Sequence, residues 1–293
     1  IGAFAGEDVQ NTSNSVFVGY RAGQYRSDNA NSVIIGNFAG VGHIDSTNVG
    51  SFNTFLGYAA GYENTSGGSN VFLGQRAGQA YTTGNDNTMV GTGAGISNTR
   101  GTENCFLGSF SGWQNTIGNS YVLVWTLAGS ENTEGSQNTA TGNFSLGKNT
   151  TGNFNTAFGF AAGYNNRTGL ENTAIGYAAS YFDSLGSYNT SLGSFALHFG
   201  GDHENVTALG YNTSISASNQ IRLGNSAVTS IGGYQSWTTL PSDKRMKKHI
   251  KNDVPGLEFI NQLRPVTYQM DMEAIAKWQG TPDSLRLMKT EIA

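Results

Sequence analysis

Short apolar runs recur through most of the chain. Each is led by Asn or Ser and closed by glycine, as in Asn53-Thr54-Phe55-Leu56-Gly57 and Asn172-Thr173-Ala174-Ile175-Gly176. The closing glycines are Gly2, Gly19, Gly36, Gly57, Gly74, Gly91, Gly108, Gly142, Gly159, Gly176, Gly193 and Gly210. Their spacing is 17 residues, except for 21 between Gly36 and Gly57 and 34 between Gly108 and Gly142, where Trp125 fills the slot. Gly224 closes the series after a step of 14. A four-residue insertion near residues 41–44 is the one break in register before Gly210.

Other columns keep the same phase. The residue before the glycine is apolar, as at Val18, Leu56, Leu107 and Ile175. The third residue after it is small, as at Ala22, Ala60, Ser111 and Ala162, and the fourth is usually Gly again, as at Gly23, Gly61 and Gly112. Asn recurs four before it, at Asn53, Asn70, Asn87, Asn104, Asn138, Asn155, Asn172 and Asn189. A second apolar stripe lies two after it, at Phe38, Phe110, Leu127, Phe144 and Phe195.

Seventeen residues are too few for a helix pair and suit one coil of a stack, in which each unit buries its apolar face only against its neighbours. The runs are short β-strands, and stacked coils pair strand on strand about 4.8 Å apart. The fold class read from this pattern is all-β: a parallel β-solenoid of about thirteen 17-residue coils over residues 1–230. Its length is roughly 60 Å. The apolar column before the glycine, with Val18, Leu56, Leu107 and Ile175, is expected to fill the interior. The alanine column marks a close approach of two walls, and the glycines take corners with positive φ. The Asn column is expected to stack its amides along the axis.

Composition then divides the chain. Residues 1–241 carry 7 Lys/Arg and 13 Asp/Glu, whereas residues 242–293 carry 9 and 7. All four prolines, Pro241, Pro255, Pro265 and Pro282, lie at or after the break. Proline within the coils would remove an inter-strand bond. Residues 231–241 read as a linker and 242–293 as a second region. A net charge of −4 argues against a nucleic-acid binder, and no apolar run is long enough for membrane insertion. With one cysteine, Cys105, neither a disulfide framework nor a multi-cysteine metal site is expected. The chain opens in mid-pattern at Ile1, as a piece of something longer would.

Asn14-Ser15-Val16-Phe17-Val18-Gly19 and Asn31-Ser32-Val33-Ile34-Ile35-Gly36 resemble the coil motif of trimeric autotransporter adhesin heads and related bacterial and phage fibres. The resemblance covers roughly residues 1–230 and implies a homotrimer built on a left-handed parallel β-roll, longer per coil here than is usual. A trimer also makes physical sense, because a thin coil buries few apolar groups alone. The Phe38, Phe110 and Phe144 stripe is expected to face a neighbouring chain.

Residues 242–250 read Ser-Asp-Lys-Arg-Met-Lys-Lys-His-Ile, followed by Leu263-Arg264-Pro265-Val266 and Tyr268. They resemble the start of the C-terminal intramolecular chaperone domain of phage endosialidases, tailspikes and tail fibres. The resemblance implies a small α+β domain, truncated here, that trimerises, guides folding of the fibre and in many members cuts itself off. Carried over, Ser242 is the nucleophile and Lys247 its base, with Pro241–Ser242 the scissile bond. A lysine activates a serine when burial or like charge lowers its pKa, and Lys244, Arg245, Lys248 and Lys251 could supply that charge. The plainer reading is that Ser242 and Asp243 cap a helical turn. Helices are expected after Pro255 and over 272–279.

Other sites are weak. Gly91-Thr92-Gly93-Ala94-Gly95 imitates a phosphate loop but lies in phase with the repeat. His198, Asp202 and His203 make a possible metal cluster, although solvated loop residues are the commoner case; no metal or cofactor is expected. Cys105 reads as core packing. Three functions compete: a structural and receptor-binding fibre, a polysaccharide-degrading tailspike, and an ice-binding solenoid suggested by the Asn-Thr columns. The first is favoured, with partners being two further copies of the chain, a cell-surface receptor such as a glycan, and a baseplate or other fibre protein. The location is extracellular, on a virion tail, an injection-system fibre or a cell surface. Beyond self-cleavage no enzyme is expected.

Overall fold

Every complete apolar run becomes a three-residue β-strand. The computed structural model describes residues 1–10, 13–27, 30–44, 48–197 and 201–232. Its strands run from β1 (Val16–Val18) and β2 (Val33–Ile35) to β13 (Ile221–Leu223), one per coil, and form a single 13-stranded parallel sheet in strict sequence order. Register follows the period, as in Thr173↔Thr190 and Val90↔Leu107. The solenoid therefore makes twelve turns between its first and last strands. Ile1–Ile231 form one compact unit, and the described residues contain no helix.

The ladder continues beyond the strands. Around one coil, the N–H groups of Gly57 and Ala59 donate back to Ile35 and Asn37, while those of Thr54, Gly61, Glu63 and Thr65 donate forward to Asn70, Ala77, Gln79 and Thr82. Threonine hydroxyls add a column of their own, Thr65, Thr82, Thr99, Thr116 and Thr133 each donating to the carbonyl 17 residues on. Nearly every turn of backbone is thus paired along the axis, so short strands suffice.

Two glycine columns are steric requirements. Gly57 has φ +142°, and a Cβ there would lie 2.4 Å from the carbonyl oxygen of Gly74 in the next coil. Gly61 has φ +59°, and its Cβ would meet the Phe55 ring at 2.6 Å. Where Trp125 replaces the first kind of glycine, the backbone relaxes to φ 104° and the indole stays outside.

The inner column is one residue earlier than the sequence reading placed it. Phe17, Ile34, Phe55, Phe72, Met89, Phe106 and Leu123, two before the glycine, line the interior. Val18, Leu56, Leu107 and Ile175 point outward instead; Leu56 is 47% exposed and Ile175 37%. The physical reason is the strand alternation. The Asn four before the glycine faces inward, so the residue two before does so as well, and the one before faces out. Cys105 accordingly sits on the outer sheet face, half-buried, not in the core. The alanine column is fully buried as expected.

The core changes character along the axis. From β8 (Thr139–Thr141) onward the inward strand position holds Ala140, Ala157, Ala174, Ser191 and Ala208. Leu146 and Leu197 then occupy the slot that is glycine beside the large residues, and both are buried. In the coils of Ala140 and Ser191 volume is thus conserved by exchange across the coil, as close packing demands. Phe106→Ala should lower the unfolding free energy by about 3–5 kcal/mol. Leu107→Thr should leave it nearly unchanged in the single chain. Urea denaturation of the two variants tests the register, and equal losses would contradict it.

Candidate functional site

Two columns of buried amides run through the interior. The first is the Asn four before each glycine. Asn70 accepts from the Asn87 N–H at 3.0 Å and donates to the Gly84 carbonyl at 3.2 Å, and the pattern repeats at Asn104, Asn138, Asn155, Asn172 and Asn189. The second column, seven after the glycine, was not singled out from sequence, although the same phase arithmetic reveals it. It holds Asn64, Asn98, Asn115, Asn132, Asn149 and Asn166, all buried. Asn132 donates to Asn115 at 2.7 Å, and Asn149 to Asn132 at 2.9 Å. Tyr81 and Tyr121 each replace one Asn, their hydroxyls bonding Gly101 O and Asn138 Nδ2 respectively. In water-free surroundings such groups are costly unless paired, so the ladders stabilise only a correctly stacked chain.

Charged residues enter the second column twice. Arg26 is fully buried. Its Nε donates to Gly40 O at 3.0 Å and its Nη1 to Asn64 Oδ1 at 2.9 Å, and the guanidinium lies over the Phe55 ring. It reaches across the 21-residue coil to the amide two coils on. Burial pulls its pKa down to about 9.

Asp183 stands where Asn166 stands one coil earlier, and is 6% exposed. One carboxylate oxygen accepts from Gly186 N–H at 2.9 Å, and the other from Asn189 Nδ2 at 2.8 Å. Burial pushes its pKa up to about 6; the bonds from Asn189 and Gly186 oppose the rise, Asp202 adds to it and His203 opposes it. Next to it both exchanging core positions are small, at Ala157 with Gly163 and Ala174 with Ser180. A cavity of about 10 Å³ results, walled by Leu146, Asn166, Asn172, Ser180 and Asp183, room for about one water.

The residues chosen from sequence fall differently. Ser242 and Lys247, with the linker beyond Gly232 and the expected α+β segment 242–293, lie outside the described residues. So does His198. Asp202 accepts from the Ser184 and Leu185 N–H groups of the preceding coil, both at 2.8 Å. Among the described residues no three His, Cys, Asp or Glu side chains gather as metal ligands. The loop at Gly91–Gly95 is an ordinary corner of the coil, with Gly93 and Gly95 at positive φ.

Residues 242–282 match the family model described as chaperone of endosialidase. No curated protein matches the chain. A long parallel solenoid followed by this chaperone segment fits a protein of tail-fibre or tailspike type.

The Asp183 position generates a pH prediction. Its pKa in the folded chain lies above the ordinary carboxylate value, so the folded chain holds the proton more tightly. Stability should therefore rise as pH falls from about 6 to about 4, and the ionised form should cost up to about 3 kcal/mol above that window. Asp183→Asn restores the amide column. It should melt higher than the parent at pH 7 and lose this component of the pH slope; melting curves at pH 4, 5, 6 and 7 are the check.

Proposed function

We propose that the chain is the distal part of a homotrimeric fibre, of a phage tail or of a bacterial surface or injection-system fibre, which projects from its particle and binds a surface receptor. The observation that carries this reading is the match at 242–282, which follows in the chain a solenoid of thirteen stacked parallel strands. Residues from Ser242 onward act as the folding chaperone of the fibre. Three chains paired only through non-local contacts fold slowly and expose edges meanwhile. A segment that first joins the chains raises their effective concentration and sets a common register.

The outer sheet face supports self-assembly. Parallel sheets are normally covered on both faces. Here the outward rows carry Val16, Val33, Leu56, Leu107, Phe158, Ile175 and Leu192, all exposed in the single chain. Many rings of the Phe38, Phe110 and Phe144 stripe already pack within the chain: Phe38 against Tyr20 and Tyr58, Phe110 against Trp113, Phe144 against Phe160 and Tyr164. The sheet face is therefore the better candidate for the three-fold axis. Leu56→Lys with Leu107→Lys and Leu192→Lys should convert trimer to monomer in light scattering, while the circular dichroism of the coil persists. A trimer that survives all three lysines would remove the sheet face from the interface.

Self-cleavage belongs to the same proposal. Lys247 accepts the Ser242 hydroxyl proton as the Oγ attacks the Pro241 carbonyl carbon. The proton passes to the departing amide nitrogen, and water hydrolyses the ester. Expression of the full gene with Ser242, with Ser242→Ala, and with a stop codon at position 242 separates the claims. The chaperone role predicts insoluble or protease-sensitive product from the truncated gene only. Cleavage predicts a shorter mass for the parent than for Ser242→Ala; equal, uncut masses would leave Ser242 as a helix cap. Reducing-sugar release from capsular polysaccharide would favour a degrading tailspike instead.

A further inference from the structure

The 21-residue coil between Gly36 and Gly57 does not disturb the sheet, since β2 pairs with Thr54–Leu56 in full register. In this coil opens a pocket of about 220 Å³ walled by Tyr25, Val41, His43, Ile44, Tyr62 and Glu63.

The pocket exists because one side chain is missing. Tyr25, Gly42 and Glu63 occupy the same place, six after the glycine, in three successive coils. Gly42 supplies no side chain, and cannot, because it has φ +78° and a Cβ would lie 2.7 Å from the Asn48 amide carbon. Tyr25 and Glu63 therefore stand two coil spacings apart, about 9.6 Å, with a gap between them. In the neighbouring row, five after the glycine, large side chains on adjacent coils meet directly, as Tyr164 and Tyr181 do with centroids 5.2 Å apart.

The backbone beneath the walls is fixed in place. Tyr25 N–H donates to Val41 O at 3.0 Å, and Gly42 N–H to Tyr62 O at 2.9 Å. The buried Asn48 accepts from His43 N–H at 3.0 Å and donates to the His43 carbonyl at 2.8 Å and to the Tyr25 carbonyl. Tyr62 leans on Phe38. Such preorganisation lowers the entropic cost of binding.

We propose that this pocket binds a single neutral hexopyranose unit of a surface glycan, a reading that rests on the receptor-binding function above. A tyrosine face suits the apolar face of a sugar ring. The Glu63 carboxylate accepts hydroxyl hydrogens. The volume lies below the ~300–1,000 Å³ of drug-sized sites, which selects one ring over an oligosaccharide. Glu63 disfavours acidic sugars.

Saturation-transfer NMR on the full chain tests the proposal, with methyl α-D-glucopyranoside, methyl α-D-mannopyranoside and methyl β-D-galactopyranoside as probes and N-acetylneuraminic acid as the anionic control. At least one neutral glycoside should bind, and its affinity should fall at least tenfold in Tyr62→Ala and in Glu63→Gln. Tyr181→Ala, outside the pocket, should leave it unchanged, and all variants should melt like the parent. Absence of transfer from all three neutral glycosides, or full transfer to Glu63→Gln, overturns the pocket. An array of bacterial envelope polysaccharides separates this from the wider reading. Equal array binding by parent and both variants keeps the receptor function and sinks the pocket. Glycoside binding that the variants abolish, with no array binding by the parent, keeps the pocket and counts against the receptor function.

Discussion

Each coil donates its backbone N–H groups to the coils before and after it, and this axial ladder is the constraint to which the rest of the structure answers. It requires the strands and corners of successive coils to stay in phase, so a longer or shorter coil must take up its difference between them, as the 21-residue step before Thr54 and the 14-residue step before Ile221 do without breaking the pairing. It brings successive coils so close that Gly57, Gly74 and Gly91 cannot carry a side chain without striking the next carbonyl. It also forces many ordinary residues to positive φ, among them Phe38, Phe110 and Glu103, each costing roughly 1–2 kcal/mol of local strain. Such strain persists where the surrounding bonds over-determine the backbone.

Interior chemistry follows from the same stacking. A coil of this size encloses a narrow core, so its polar turns lie close to its apolar centre. Asparagine answers both needs at once: its carbonyl receives the next coil's N–H while its amide nitrogen satisfies a turn carbonyl. The two amide columns flank the apolar column of Phe55, Phe72 and Phe106, whose rings include the Phe55–Phe72 pair stacked at 4.9 Å. The columns tolerate exchange where the substitute reaches equivalent partners. Tyr81 and Tyr121 do so through a hydroxyl. Arg26 spans a displaced coil, and Asp183 keeps the acceptor but adds a charge.

Irregularities are where function can be grafted onto so repetitive a frame. The described coils present an aliphatic sheet face that suits copies of the same chain. The 21-residue coil, with Gly42, leaves a gap between Tyr25 and Glu63.

The sequence by itself determined the period, the coil count and register, the glycine corners, the buried alanine column and one of the amide ladders. Each of these is a fixed offset from a repeating glycine, and stacking preserves such offsets. It also determined the chaperone match, through local residues at 242–269 that need no fold to be read. Which of two adjacent apolar rows faces inward was decided only by the tertiary structure. Both Phe106 and Leu107 are apolar, so hydrophobicity alone does not rank them. The turn that leads Asn104 inward breaks the tie, and that turn is set by contacts with neighbouring coils. The same holds for Arg26, Asp183 and the Tyr25–Glu63 gap, because a side chain's burial and partners one or two coils away arise only once the stack has closed.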